Sequence, residues 1–253
     1  EYPAGSFIVP AQSGAREATE KFAAELGLDF TAVQTRPDVA SHEAKLPRLA
    51  VWHPWADTES IGWVRLVLDS EKIPYDYIRD EEIRAGNLRA RWDIILYGNV
   101  YLRLKDQIHG IDTKFGPMPY TKTPQFPSHG VPDASDDITG GIGWNGMANL
   151  ARFLDEGGLM ITLANASALP LEGGLVRNVR RTGGNPFTPG VELRAKFTRP
   201  DHPLAYGYPL TPSLFRQGYP VYSVDPADRR FMVMQWGTRP LKDARDEENQ
   251  ADD

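Results

Sequence analysis

The side chains able to do chemistry in this sequence are few, and most stand without the neighbours that chemistry needs. The histidines are His42, His53, His109, His129 and His202. A hydrolytic zinc site of one common kind joins a His, a Glu three residues on and a distant second His, because neutral imidazole and carboxylate leave one metal position open for water. None of these histidines has Glu at that spacing, and adjacent His42-Glu43 point apart on either a helix or a strand. Cysteine is absent, which removes thiolate metal sites, disulfides and a cysteine nucleophile together. Asp133, Asp136 and Asp137 lack EF-hand spacing and read as a charged loop. A serine nucleophile would fall to Ser167, but Ala166-Ser-Ala-Leu-Pro170 has none of the glycines that flank a serine elbow.

What remains is a candidate cleft. His53, Trp55, Asp57 and Glu59 follow the apolar run Leu49-Ala-Val-Trp52, and Asn165 follows Leu159-Met-Ile-Thr-Leu-Ala164. Open α/β sheets bind ligands at the carboxyl ends of their strands, so these five residues are the expected lining of a small binding site. Within it His53 and Asp57 are the first candidates for an unrecognised hydrolytic constellation. The plainer expectation is that Trp52 and Trp55 cover the sheet edge while His53 is a solvated loop residue.

The elements that would position these residues are legible from periodicity. A helix is expected over residues 14–26, with Ala18, Phe22, Ala23 and Leu26 at helical spacing and Gly27 as its stop. Residues 34–45 are polar and aperiodic, as a linker would be. Strands are expected at 49–52, 75–78, 92–97 and 159–164, with helices at 59–72 and 145–156 and a short helix or turn at 81–90. This order describes a doubly wound, mostly parallel open sheet with helices on both faces. Residues 98–137 break the rhythm with repeated Pro and Gly, a loop expected to be ordered by Phe115, Tyr120 and Phe126. Further strand-like runs follow at 191–197, 221–224 and 231–234. The organisation read is thus a 1–45 strand–helix segment with linker, a 46–240 α/β domain, and an acidic, disordered tail at 241–253.

Composition narrows function further. The net charge of −6 carries no basic stripe, which argues against nucleic acid, since phosphate binding needs clustered Lys and Arg. No apolar run approaches a membrane span. Opening on Glu-Tyr-Pro without Met, the sequence reads as a mature or excised piece of something longer.

Several stretches together resemble a known region. Pro47-Arg-Leu-Ala-Val-Trp-His-Pro-Trp55, Gly62-Trp-Val-Arg65, Ile83-Arg-Ala-Gly-Asn-Leu-Arg-Ala-Arg91 and Gly140-Gly-Ile-Gly143 look like the C-terminal, class I glutamine amidotransferase-like domain of large bacterial zinc-carboxypeptidase-like proteins. The resemblance runs from Tyr2 to about Trp236, and Arg84-Ala-Gly-Asn-Leu-Arg89 is its more specific part. It implies a flavodoxin-like, amidotransferase-like fold and a secreted or periplasmic location. It also implies an upstream peptidase domain as partner, with zinc held there and no cofactor in this chain. A further strand and helix would follow the acidic tail. The amidotransferase cysteine would stand on the turn after the fourth strand, where Asn165 or a neighbour is found, so no catalytic residue is expected. The function implied is a non-catalytic accessory domain, packing on the peptidase or binding peptide or glycan. A homo-oligomeric assembly module and a hydrolase around His53 and Asp57 are the alternatives.

Overall fold

Short apolar runs alternating with amphipathic ones set the order of elements. The structure, a computed structural model, describes residues 6–182 and 188–239; the expected tail at 241–253 lies outside the described residues. Helix α1 (Ala15–Leu26) runs between left-handed Gly14 and Gly27 and buries none of its residues. Then come β1 (Leu49–Trp52), α2 (Ile61–Ser70), β2 (Asp76–Ile78), α3 (Asp80–Ala85), α4 (Leu88–Arg91), β3 (Ile94–Tyr97), α5 (Leu104–His109), α6 (Gly143–Asp155), β4 (Leu159–Thr162) and α7 (Ala168–Glu172). Short strands close the described chain: β5 (Val179–Arg181), β6 (Val191–Phe197), β7 (Ser213–Arg216), β8 (Tyr222–Val224) and β9 (Met234–Trp236).

The residues gather into two compact units. One holds Glu1–Lys45, Arg194–Pro212 and Val233–Thr238; the other holds Leu46–Leu193 and Ser213–Met232. The chain passes from one unit to the other between Lys45 and Leu46, and 194–212 and 233–238 group with the N-terminal segment. Within that unit β6 pairs antiparallel with β9, Ala195 opposite Trp236. The strand expected at 231–234 is displaced to β9, because Pro226 starts a 3-10 turn that runs to Phe231.

The larger unit carries the expected doubly wound sheet, in the order β2-β1-β3-β4 with every neighbour parallel. Strand order 2-1-3-4 is the flavodoxin-like arrangement, with its switch point between β1 and β3. Alternation sends Ala50, Trp52, Ile95 and Tyr97 to one face, where they join Ile83, Leu88, Ile142, Leu150, Phe153 and Leu169 from the helices. On the other face Val51 clusters with Ile61 and Leu68 of α2, with Leu49, Val64, Tyr75 and Tyr77 at the margin. The first core is far the larger, and at roughly 1.5–3 kcal/mol per buried large side chain it holds the unit together.

Two departures from the expected elements have local causes. The short helix at 81–90 is split into α3 and α4, because Gly86 and Asn87 take positive φ angles of 78° and 55°. Asn149 of α6 closes α3 by donating from Nδ2 to the carbonyls of Ile83 and Arg84, both at 3.0 Å. The second departure is α5, folded inside the stretch expected to be irregular. The rest of that loop is ordered by a Tyr120–Ser135 bridge and by His129 stacking on Tyr120 and Phe126.

Candidate functional site

The carboxyl ends of β1 and β2 hold the first two sequence candidates. His53 continues β1, its N–H donating to the carbonyl of Ile78 at 3.0 Å. Its ring is 2% exposed, stacked on Tyr77 at 4.4 Å and edge-on to Trp55 at 5.0 Å. The solvated loop histidine expected from sequence is therefore a buried one, because the aromatic rings on either side exclude water. Its Nε2 lies 3.5 Å from Asp133 Oδ2. Burial lowers its pKa more than Asp133 raises it, so the imidazole is neutral.

Asp133 comes from the long loop and also pairs with Arg79 at 3.1 Å, while Arg79 holds Glu82 at 2.6 Å and the carbonyl of Ala134. Trp55 is half-buried; its indole N–H donates to the Glu81 carboxylate at 2.9 Å, and Ser135 donates to the same group at 2.5 Å. These contacts pin the loop across the strand ends. Both ring nitrogens of His53 nevertheless stay buried without a hydrogen-bond partner among the described residues.

Asp80 was not singled out in the sequence, where it stands just before the short helix or turn expected at 81–90. In the fold it is 1% exposed, accepting from Trp52 Nε1 at 3.0 Å and from the Trp55 N–H at 3.2 Å. Burial pushes its carboxyl up to about 7. Trp52 stacks on Tyr97 at 4.0 Å, and the Tyr97 hydroxyl has no hydrogen-bond partner among the described residues. Burial first, then the nearby Asp80 charge, drive that hydroxyl well above its ordinary range. The one available signal was position, since Asp80 stands two residues beyond a strand whose register places it beside β1.

The other candidates stand apart from His53. Asp57 accepts from the Tyr101 N–H at 2.5 Å and from the Glu59 N–H at 3.4 Å, so it shapes the segment after β3. Glu59 is exposed. Asn165 is half-buried and contributes backbone: its N–H donates to Asn99 Oδ1 at 3.2 Å and its carbonyl accepts from Gln107 at 3.2 Å. His53 and Asp57 thus form no dyad; the carboxylate beside His53 is Asp133.

The turn after β4 follows the strand–turn–helix order in which a nucleophile elbow is found. The chain leaves β4, passes through Leu163, takes a left-handed conformation at Ala164 (φ 50°) and enters a short 3-10 turn and α7. Elbows of this kind hold the nucleophile at the strained residue and use the next N–H to stabilise an oxyanion. Here the strained residue offers only a methyl group, and the next N–H, that of Asn165, is occupied by Asn99. Ser167 Oγ lies 3.1 Å from Thr162 Oγ1, and no imidazole among the described residues hydrogen-bonds it.

A depression of about 460 Å³ opens beside the loop, lined by Arg79, Glu81, Arg84 and Asp137 among others. Its cations are committed, Arg79 as described and Arg84 to the carbonyl of Gly141. Among the described residues no group of three or more His, Asp or Glu side chains could hold a metal ion, and no helix is long and apolar enough to cross a membrane. No family model and no curated protein matches the chain. Among solved structures it is similar to PurLQS from Thermotoga maritima, at 11% identity and a TM-score of 0.41, over 77% of this chain and 76% of that one.

Proposed function

We propose that the chain is a non-catalytic accessory domain of a secreted or periplasmic zinc-carboxypeptidase-like protein, packing on the peptidase domain or presenting a surface to peptide or glycan. The observation that carries the non-catalytic part is Ala164, a methyl group at the left-handed turn after β4 where an elbow enzyme needs its nucleophile. The occupied Asn165 N–H removes the second requirement. The peptidase parent rests on the sequence resemblance, and its zinc and activity belong to the upstream part.

The test compares the parent protein, the parent truncated before Tyr2, and this chain alone, on peptide, amide and glutamine substrates. The chain alone is expected to give no turnover above background, since loss of a nucleophile from a working constellation already costs several orders of magnitude. Activity should reside wholly upstream, with removal of this domain altering substrate affinity, stability or assembly. Turnover by this chain alone, abolished by His53→Ala or Asp57→Ala, would overturn the reading in favour of a hydrolase.

A further inference from the structure

A parallel sheet wound on both sides needs both faces covered, and one face of this sheet is covered only in part. Helix α2 lies on that face through Ile61, Val64 and Leu68, its first turn leaning over the end of β3, where a Cβ on Gly98 would meet Ile61 Cδ1 at 2.7 Å. Arg65 turns towards β2, hydrogen-bonding Tyr75 at 3.3 Å and stacking over Tyr77. Helical geometry then places Trp63 and Val67 on the opposite flank, towards β3 and β4.

That flank is open. Trp63 is 72%, Val67 58% and Leu66 55% exposed. Beside it the strand register sets Leu159 and Ile161 on the same face as Ile94 and Leu96. Leu163 follows them by alternation, and Leu159 and Leu163 are 52% and 40% exposed. The result is an apolar helix flank beside an apolar strand face, on the side of the sheet that α2 covers in part among the described residues.

We propose that this surface is covered by α2 of a second copy of this chain, in a two-fold symmetric dimer. Three features favour a second copy. Gly62, Trp63, Leu66, Val67 and Ser70 on the outward stripe carry no charge, while exposed Asp69 lies on the β2 side, where it accepts from the Tyr75 hydroxyl at 3.0 Å; charge is what interface cores lack. The stripe is self-complementary: across a two-fold axis near Leu66 and Val67, two antiparallel α2 helices set the large Trp63 of each against the small Ser70 of the other, as an isologous contact requires. The exposed apolar area amounts to roughly 500 Å² per copy, so a pair buries about 1,000 Å² before its polar rim, the lower bound for a specific interface. This inference is independent of the accessory-domain reading, since it needs neither a catalytic neighbour nor the absence of catalysis.

Sedimentation equilibrium on the full 253-residue chain from about 1 to 200 μM tests it, and the expected mass is that of a dimer at the upper end. Trp63→Glu, at an exposed position, is expected to weaken association at least 100-fold with an unchanged circular dichroism spectrum. Because the chain has no cysteine, Val67→Cys gives a single thiol near the axis and should form an intermolecular disulfide on mild oxidation. Asp155→Cys, on the far face of the sheet, should not. A monomer throughout the range, a dimer indifferent to Trp63→Glu, or equal cross-linking at both positions would overturn the proposal. Catalytic assays move none of these readouts.

Discussion

Gly141→Ala is expected to unfold the protein or to cut its stability severely. A Cβ at Gly141 would stand 2.5 Å from the Gly110 N and 2.6 Å from both His109 C and Ile108 O, all backbone atoms. The relation is reciprocal, since a Cβ at Gly110 would lie 2.6 Å from the Gly141 N. Both residues also take positive φ, 51° and 58°, which costs an L side chain roughly 1–2 kcal/mol before any clash. Moving backbone in a packed region adds about 1–3 kcal/mol, so the combined loss of roughly 2–5 kcal/mol is a large part of an ordinary stability of about 5–15 kcal/mol. The crossing matters because it fixes where α5 ends and α6 begins, and it closes the long loop between them, with Gly140 donating to Ile111 at 2.8 Å. Gly157→Ala is the control. It shares a positive φ of 83° but meets nothing within 4 Å, so only the conformational cost applies. Urea unfolding of both variants gives the comparison. Equal losses would mean that the backbones do not cross this closely.

That crossing marks the limit of what the sequence discloses. Gly140-Gly141 is visible as a break before a helix, but Gly110 is an ordinary glycine until the fold brings it against Gly141. The same distinction separates the legible elements from the rest. β1, β3, β4, α2 and α6 follow from apolar periodicity and turn residues, and their parallel pairing follows from the helices between them. α5 and α7 are too short to show a periodic face, and Leu104-Lys-Asp-Gln-Ile-His109 is mostly polar. In the candidate site, strand-end position drew attention to His53 and Trp55. It could not show that His53 is buried between rings, nor that its carboxylate comes from Asp133, some eighty positions along, instead of Asp57. Asp80 was missed for the related reason that burial of a charged side chain is a tertiary property, which no spacing rule encodes.

Relative to an Asp80→Asn variant, the protein is expected to lose stability steadily as pH rises from about 4 to about 7. The buried carboxyl holds its proton up to about pH 7 in the fold, whereas an unfolded aspartate releases it near 3.9. Between those values the folded state binds more protons than the unfolded one, so stability falls with rising pH, by about 1.4 kcal/mol per unit and at most about 4 kcal/mol in total. Above pH 7 both states are ionised and the curve is flat. Other groups work in the opposite direction. Asp93, held well below the carboxylate range by Arg48, and His53, kept neutral by burial, contribute stability that is lost as pH falls. Both are present in either protein, so the difference between the two curves removes them and isolates Asp80. Asparagine leaves one of the two N–H donors, from Trp52 or Trp55, facing an amide N–H₂ in place of an acceptor. That cost does not change with pH and shifts the difference without altering its slope. Urea unfolding at pH 5, 6, 7 and 8 measures the slope directly. Parallel curves would mean that Asp80 stays ionised across the range, its charge carried by the two N–H donors and by the nearby Arg84 guanidinium. A slope of the expected sign would instead identify a carboxylic acid that the fold keeps neutral under Trp52, at the end of the sheet where an enzyme of this architecture would expose its site to water.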